Sequence, residues 1–446
     1  MSFTESIRKK LVSGGVWATL GNVVAAICIF IINILLTRLL TPQEVGAYYI
    51  ITSIVVICAL IAQFGAHQAI VKQLGFVGVT ALNKQKKIIK TVFIVVLTGA
   101  FLVCLPFSLG VSGLVGEKLF SSSLVAGAGF FISFWILLRA SQTTISQIYR
   151  GKQCFFRATV FEGALTSLLI TSAFGICWIF NIPISFDEAL IITLCALAIS
   201  VATGMFLLVR GFWQIKAEKG YEFFSLLQLS FPLFVASIAI PGAAEAHVWI
   251  LAANSNEEMV AIYGVAYRLA KFVVIPLLII NSVLPPIIAN LYAKKESAMI
   301  ETILRFTATL AAIPSVLGML FLFFYSTEIL SLLFGEVYSK GSSVLIMIVF
   351  AQTINVLTGS PGVLLSMSGH QKVVMNYALL SGVIGLLVSL LLVIDMGIVG
   401  VALGVSVGLI SHNFFMCWYC WSLLKIKTYP SFGSLKKIRS TILSLK

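Results

Sequence analysis

Apolar residues fall along this chain in long blocks separated by short polar connections. Blocks near 16–37, 47–71, 91–111, 121–149, 158–180 and 188–209, and again near 226–253, 259–283, 302–325, 341–366, 373–394 and 398–422, are each about as long as a helix that crosses a hydrocarbon core. Such a core is about 30 Å thick and takes roughly 20 helical residues. In lipid every backbone N–H and C=O must find its partner within the protein, so these blocks predict helices. The expected fold is an all-α integral membrane protein of twelve transmembrane helices. Composition agrees: 59% of the 446 residues are hydrophobic and 10% charged, and the mean hydropathy is +1.06. No stretch is left over for a soluble domain. The first block, Val16 to Thr37, follows Arg8, Lys9 and Lys10 as a signal peptide would. It is longer than a signal core and lacks a small-residue cleavage site, which predicts a retained helix.

Charge fixes the sidedness. If connections alternate between faces, one face collects Arg8, Lys9, Lys10, Lys72, Lys84, Lys86, Lys87, Lys90, Arg150, Lys152, Arg157, Arg210, Lys216, Lys219, Lys294, Lys295, Arg305, Lys372 and the basic residues from Lys425 to Lys446. Of the 30 Lys and Arg, the other face holds only Arg38, Lys118 and Lys340, beside acids such as Glu44, Glu117, Asp187, Glu257 and Glu328. Lys and Arg accumulate on the cytoplasmic side, so both termini are expected there. One span more or fewer would scramble the segregation. The net charge of +14 therefore reflects topology. It is not a nucleic-acid surface, because no exposed fold gathers it into a patch.

The two sets of six blocks resemble each other. "TPQEVGAYYI" (41–50) and "SNEEMVAIYG" (255–264) both join a first to a second helix, and "YRGKQCFF" (149–156) and "MSGHQKVV" (367–374) both follow a fourth. Equivalent helices cross in the same direction, as in a parallel repeat about an axis along the membrane normal. Two six-helix bundles related by pseudo-two-fold symmetry are expected, 1–222 and 223–446, joined by the basic linker from Arg210 to Glu222.

Charges inside the blocks carry the functional signal. A Lys or Arg at a helix centre costs roughly 2.5–3.5 kcal/mol on the lenient insertion scale, so each must meet water, an acid or a ligand. Arg268 and Lys271 lie on one face of the eighth helix, with Tyr263, Tyr267 and Lys271 following at i, i+4. The seventh helix offers Glu245 and His247 at a similar depth. A Glu245–Arg268 bridge is one reading, and it leaves Lys271 without an acid. In the fourth helix Arg139, Thr143, Ser146 or Gln147, and Arg150 form a stripe, either a wet cavity wall or Ser and Thr bonded to their own backbone beside a snorkelling Arg. Asn22, Asn33, Gln63, His67, Gln352 and Asn355 either extend a cavity or tie helices together. Arg38 and Glu162 are expected at the interface. The balance inside the membrane is cationic, which predicts an anionic substrate. A diphosphate suits an Arg fork and a Lys point charge, and tyrosines suit sugar rings or an apolar tail.

The eight cysteines lie in or beside apolar blocks, which predicts neither disulfides nor a metal site, and Cys417-x-x-Cys420 has no second ligand pair. No motif asks for a cofactor. No nucleophile and base pair appears, so the chain is not expected to be an enzyme.

"TRLLTPQEVGAYYI", "VAIYGVAYRLAKF", Pro285 and Pro286 in "NSVLPPIIANLYAKKE", and "GHQKVVMNYALL" followed by "DMGIVGVALGVSVGLISHN" together resemble the polysaccharide-biosynthesis flippases of the Wzx type, within the superfamily that includes lipid II flippases and multidrug and toxin extruders. The resemblance implies a bacterial inner-membrane protein that turns an undecaprenyl-diphosphate-linked oligosaccharide, typically an O-antigen unit of lipopolysaccharide, to the periplasmic leaflet by alternating access. Its cavity cations are then Arg268 and Lys271, with Arg139 behind them. As titratable groups within the membrane, Glu245 or His247 is the candidate to bind a coupling proton or sodium ion. The partners implied are membrane lipids and the glycan polymerase machinery. A drug extruder of the same architecture is the nearest alternative and would want an acidic cavity. A membrane glycan polymerase would want a sizeable outer loop, whereas the outer connections here read as roughly 15 residues at most.

Overall fold

The structure, a computed structural model, describes residues 3–77, 81–212 and 223–431. Each of the twelve predicted spans is helical, and no strand occurs among the described residues. We number them α1 (Phe3–Leu39), α2 (Pro42–Gln63, continued by Ala66–Val77), α3 (Leu82–Pro106), α4 (Gly129–Gly151), α5 (Phe155–Ile179), α6 (Phe186–Phe212), α7 (Phe223–Asn254), α8 (Glu257–Ala293), α9 (Ser297–Phe324), α10 (Ser342–Leu357, continued by Pro361–Met367), α11 (Gln371–Met396) and α12 (Ile398–Tyr419). Ten of these regions are long and apolar enough to cross a membrane. In α4 the row of Ser, Thr, Gln and Arg lowers the hydropathy. In α7 the apolar stretch among the described residues is Leu226–Val235.

Local chemistry sets the ends. Thr41 caps α2 by accepting from the Glu44 amide while the Glu44 carboxylate accepts from the Thr41 amide, a reciprocal capping box with Pro42 in the first turn. Ser185 and Glu188 repeat that exchange at α6. Asn256 accepts from the Met259 amide at the start of α8. Between the fourth and fifth helix of each set, the aligned motifs turn differently: the left-handed residue is Gln153 in one and Gly369 in the other. Two connections expected on the outer side are longer than the hydropathy suggests. Residues 107–128 hold two π-helical turns and the helix Ser123–Gly127, and residues 325–341 hold the helix Ser326–Phe334 and a 3-10 turn. Their apolar residues blended into the flanking blocks.

The described residues form two compact units. One runs to Glu245 and takes in Asn256–Ala261; the other is Ala246–Ser255 with Ile262 onward. In the first, Tyr48 of α2 packs on Trp135 of α4 with ring centroids 5.6 Å apart and hydrogen bonds to Thr193 of α6 at 3.1 Å. The α2 helix breaks at Phe64 and Gly65, both left-handed. A Cβ on Gly65 would lie 2.3 Å from the Ser230 carbonyl oxygen of α7, so only glycine permits that approach. In the second unit α11 and α12 meet through small residues: a Cβ on Gly404 would lie 2.6 Å from the Gly385 carbonyl oxygen. Close backbone approach replaces the hydrophobic drive that lipid does not supply. Leu284, Ile288, Ile300, Leu304, Leu364 and Leu365 form its core at one end of α8, α9 and α10.

Candidate functional site

The α8 helix is not continuous. Residues Glu257–Ala270 and Ile275–Ala293 are α-helical, and Lys271–Val274 between them winds as a 3-10 turn. Pro276 supplies the cause. It has no N–H to offer the carbonyl four residues back, that of Phe272, and this carbonyl takes its bond from the Ile275 amide instead, one residue tighter. Ser315 of α9 reaches into the turn and donates to the Val273 carbonyl at 2.7 Å. The turn is thus both demanded by the sequence and held by a neighbour.

The predicted cations stand at this turn. Counted from Glu257, Arg268 lies about 16 Å and Lys271 about 21 Å along the helix, deeper than hydropathy indicates because α8 starts earlier. Tyr263 is 1% exposed and stacks on Tyr267, with ring planes 9° apart and centroids separated by 5.9 Å. The Lys271 ammonium sits over the far ring at 4.3 Å from its centroid. Lys271 itself is not covered by protein. Tyr263, Tyr267 and Lys271 therefore make a ladder along one helix face, rooted in the core and ending in an accessible cation. Arg268, half-buried beside it, donates to the Gly264 carbonyl at 3.2 Å and has a further side-chain interaction. A guanidinium offers five donors, so these contacts fix its direction without exhausting it.

Arg139 in α4 is half-buried and donates to Gln142 at 2.7 Å, and Gln142 donates to Thr166 of α5 at 2.6 Å. The rest of the stripe divides. Thr143 bonds the Arg139 carbonyl, Ser146 bonds the Ala158 carbonyl of α5, and Arg150 pairs with Glu162 at 2.6 Å. Half of the stripe is thus helix–helix fastening, and Arg139 remains its one cation outside an ion pair.

His247 is 6% exposed, and its Nδ1 meets Ser389 of α11 at 2.9 Å. Glu245 is half-buried and engaged by a side-chain interaction. Among the other polar positions, Asn33 accepts from Tyr49 and Asn355 donates to Gln352, while Asn22 is exposed. Gln63 Oε1, just before the α2 break, and His67 Nδ1, two residues after it, are buried without a hydrogen-bond partner, as is Ser230 Oγ, whose backbone packs there. The cysteines are free, and no cluster of metal-ligating side chains occurs among the described residues. Sequence reasoning missed the 3-10 turn, although Pro276 five residues past Lys271 announces it. It also missed Ser315, Gln142 and Ser389, for which nothing in the chain's local pattern is a signal.

Comparison with known proteins follows from this architecture. The family model described as "Polysaccharide biosynthesis protein" matches residues 11–292, and the MatE model matches residues 232–391. No curated protein matches the sequence. Among solved structures, an inward-facing multidrug resistance MATE family transporter of the MOP superfamily is similar with a TM-score of 0.71 at 14% identity, over 93% of this chain and 96% of that one. The lipid II flippase MurJ in an inward closed conformation gives 0.68 at 13% identity, over 95% and 90%. A MOP superfamily transporter from Pyrococcus furiosus gives 0.64 at 12% identity, over 94% and 95%. The two-bundle, twelve-helix membrane fold is shared with them, and the chain belongs to the polysaccharide biosynthesis protein family.

Proposed function

We propose that the protein is a flippase that carries an undecaprenyl-diphosphate-linked oligosaccharide, an O-antigen type unit, from the cytoplasmic to the periplasmic leaflet of a bacterial inner membrane. One observation carries it: Lys271, accessible at a 3-10 turn within a membrane helix and held over Tyr267. A stretch of 3-10 winding in the middle of a helix often marks a functional hinge. The diphosphate meets Lys271 as a point charge and Arg268 as a fork, with Arg139 as a second cationic station. Tyr267 holds the Lys271 ammonium over its ring and so aims it at the diphosphate. The family model and the flippase neighbour support a lipid-linked cargo.

The bundles 1–222 and 223–446 rock against each other about the linker from Arg210 to Glu222, of which residues 213–222 lie outside the described part of the chain. Glu245 or His247 takes the coupling proton or sodium ion. Both termini lie on the cytoplasmic side, which the segregation of Lys and Arg supports. The product passes to glycan polymerase machinery.

The MatE match and the MATE neighbour favour a second reading, a drug or toxin extruder. Cationic drugs would be repelled where Lys271 stands. Replacing Arg268 and Lys271 together by Ala, with membrane expression controlled, is expected to abolish surface glycan and leave lipid-linked oligosaccharide in the cytoplasmic leaflet. Full surface glycan in that double variant would overturn the proposal, and drug sensitivity without a glycan defect would establish the extruder.

A further inference from the structure

On α3, Lys86, Ile89, Lys90 and Phe93 share one face. Across from them α6 presents Met205, Leu208 and Val209. Both helices pack on α4, where the Tyr149 hydroxyl donates to the Gly204 carbonyl of α6 at 3.3 Å. Between α3 and α6 this leaves a cavity of about 270 Å³ lined by those seven residues. That is many times the roughly 30 Å³ a water molecule occupies. Water would find few partners there, because apart from the two lysines the lining is apolar and none of it is acidic.

Two requirements coincide. The apolar floor asks for a hydrocarbon chain, and the lysines at its edge, an exposed Lys90 and a half-buried Lys86 with a side-chain interaction of its own, suit a negative head. Long lysine stems lie along apolar surface and carry their ammonium groups to the headgroup level, and basic pockets between membrane helices suit anionic headgroups. We infer that this cleft holds an anionic phospholipid of the adjacent leaflet, with its phosphate at Lys86 and Lys90 and one acyl chain along Ile89, Phe93, Met205 and Leu208. The flipped cargo fits less well: its sugars would need hydrogen-bonding groups, and the lining offers none beyond the lysines. The cleft belongs to the first unit, whereas Arg268 and Lys271 belong to the second.

Native mass spectrometry of the full chain in detergent, with dioleoyl phosphatidylglycerol or phosphatidylcholine added, tests the assignment. Wild-type protein is expected to retain phosphatidylglycerol over phosphatidylcholine. Lys90→Gln should weaken that retention about fivefold and Lys86→Gln with Lys90→Gln about twenty-five-fold, as expected for two independent lysines near an anionic head. Arginine at both positions should preserve retention. Met205→Trp, which narrows the cleft and leaves both lysines, should weaken it. The Arg268→Ala, Lys271→Ala variant should bind phosphatidylglycerol as wild type does, so a transport failure there leaves this site standing. Undiminished retention in the double Gln variant or in Met205→Trp would overturn the proposal, and so would equal retention of the two lipids. Displacement of phosphatidylglycerol by equimolar undecaprenyl phosphate would reassign the cleft to the cargo.

Discussion

Replacing Tyr267 by Leu removes the ring beneath the Lys271 ammonium and leaves the cation in place. A cation 4.3 Å from a tyrosine centroid is held by about 0.5–1 kcal/mol where exposed and about 2 where desolvated. Loss of that hold lowers the population of the aimed rotamer roughly two- to thirtyfold. Removing the charge with Lys271→Gln costs more, because a hydrogen bond to an ionised group contributes about 1.5–3 kcal/mol, or about ten- to hundredfold in transport. Tyr267→Leu acts through Lys271, so the double variant should be no slower than Lys271→Gln alone, to within about twofold. Tyr267→Phe keeps the ring face and should stay near wild type. The assay is the initial rate at which lipid-linked oligosaccharide in proteoliposomes becomes accessible to an added glycosidase. Lys271 is uncovered, so thermal unfolding of Lys271→Gln should match wild type and exclude a packing defect. Equal slowing by Tyr267→Leu in the wild-type and Lys271→Gln backgrounds would refute the ladder.

Three further outcomes follow from the packing. A Cβ on Gly46 would lie 1.9 Å from the Glu257 carbonyl oxygen, so Gly46→Ala should destabilise by about 1–3 kcal/mol; an unchanged unfolding temperature in detergent would count against that contact. Gln63 is 1% exposed with its Oε1 unpartnered, so Gln63→Met should raise stability by about 1 kcal/mol. A fall in the unfolding temperature would mean that something polar fills the α2 break. Ser315→Ala removes the bond to Val273 and should cost about 1 kcal/mol, with transport slowed more than in a Ser172→Ala control, since Ser172 bonds the Leu168 carbonyl of its own helix turn at 2.8 Å. Equal transport in the two variants would detach the 3-10 turn from function.

The number of helices was legible in the sequence because lipid forces every backbone group to pair within its own segment, so hydropathy marks most spans outright, and the segregation of Lys and Arg argued for the same count. The tyrosine and lysine ladder was legible too: residues four apart on one helix must be neighbours, whatever surrounds them. Partners on other helices were not. Whether Arg139 faced a cavity or Gln142, whether Ser146 bonded its own helix or α5, and that His247 meets Ser389 depend on which faces pack, and a chain with nearly uniform apolar faces does not encode that in its periodicity. Tertiary structure also decided which polar groups stay unpaired, at Gln63, His67 and Ser230. It left a cleft between α3 and α6 because both lean on α4. Local rules reach as far as one helix turn; beyond it, the fit of one helix against another determines what each charge meets.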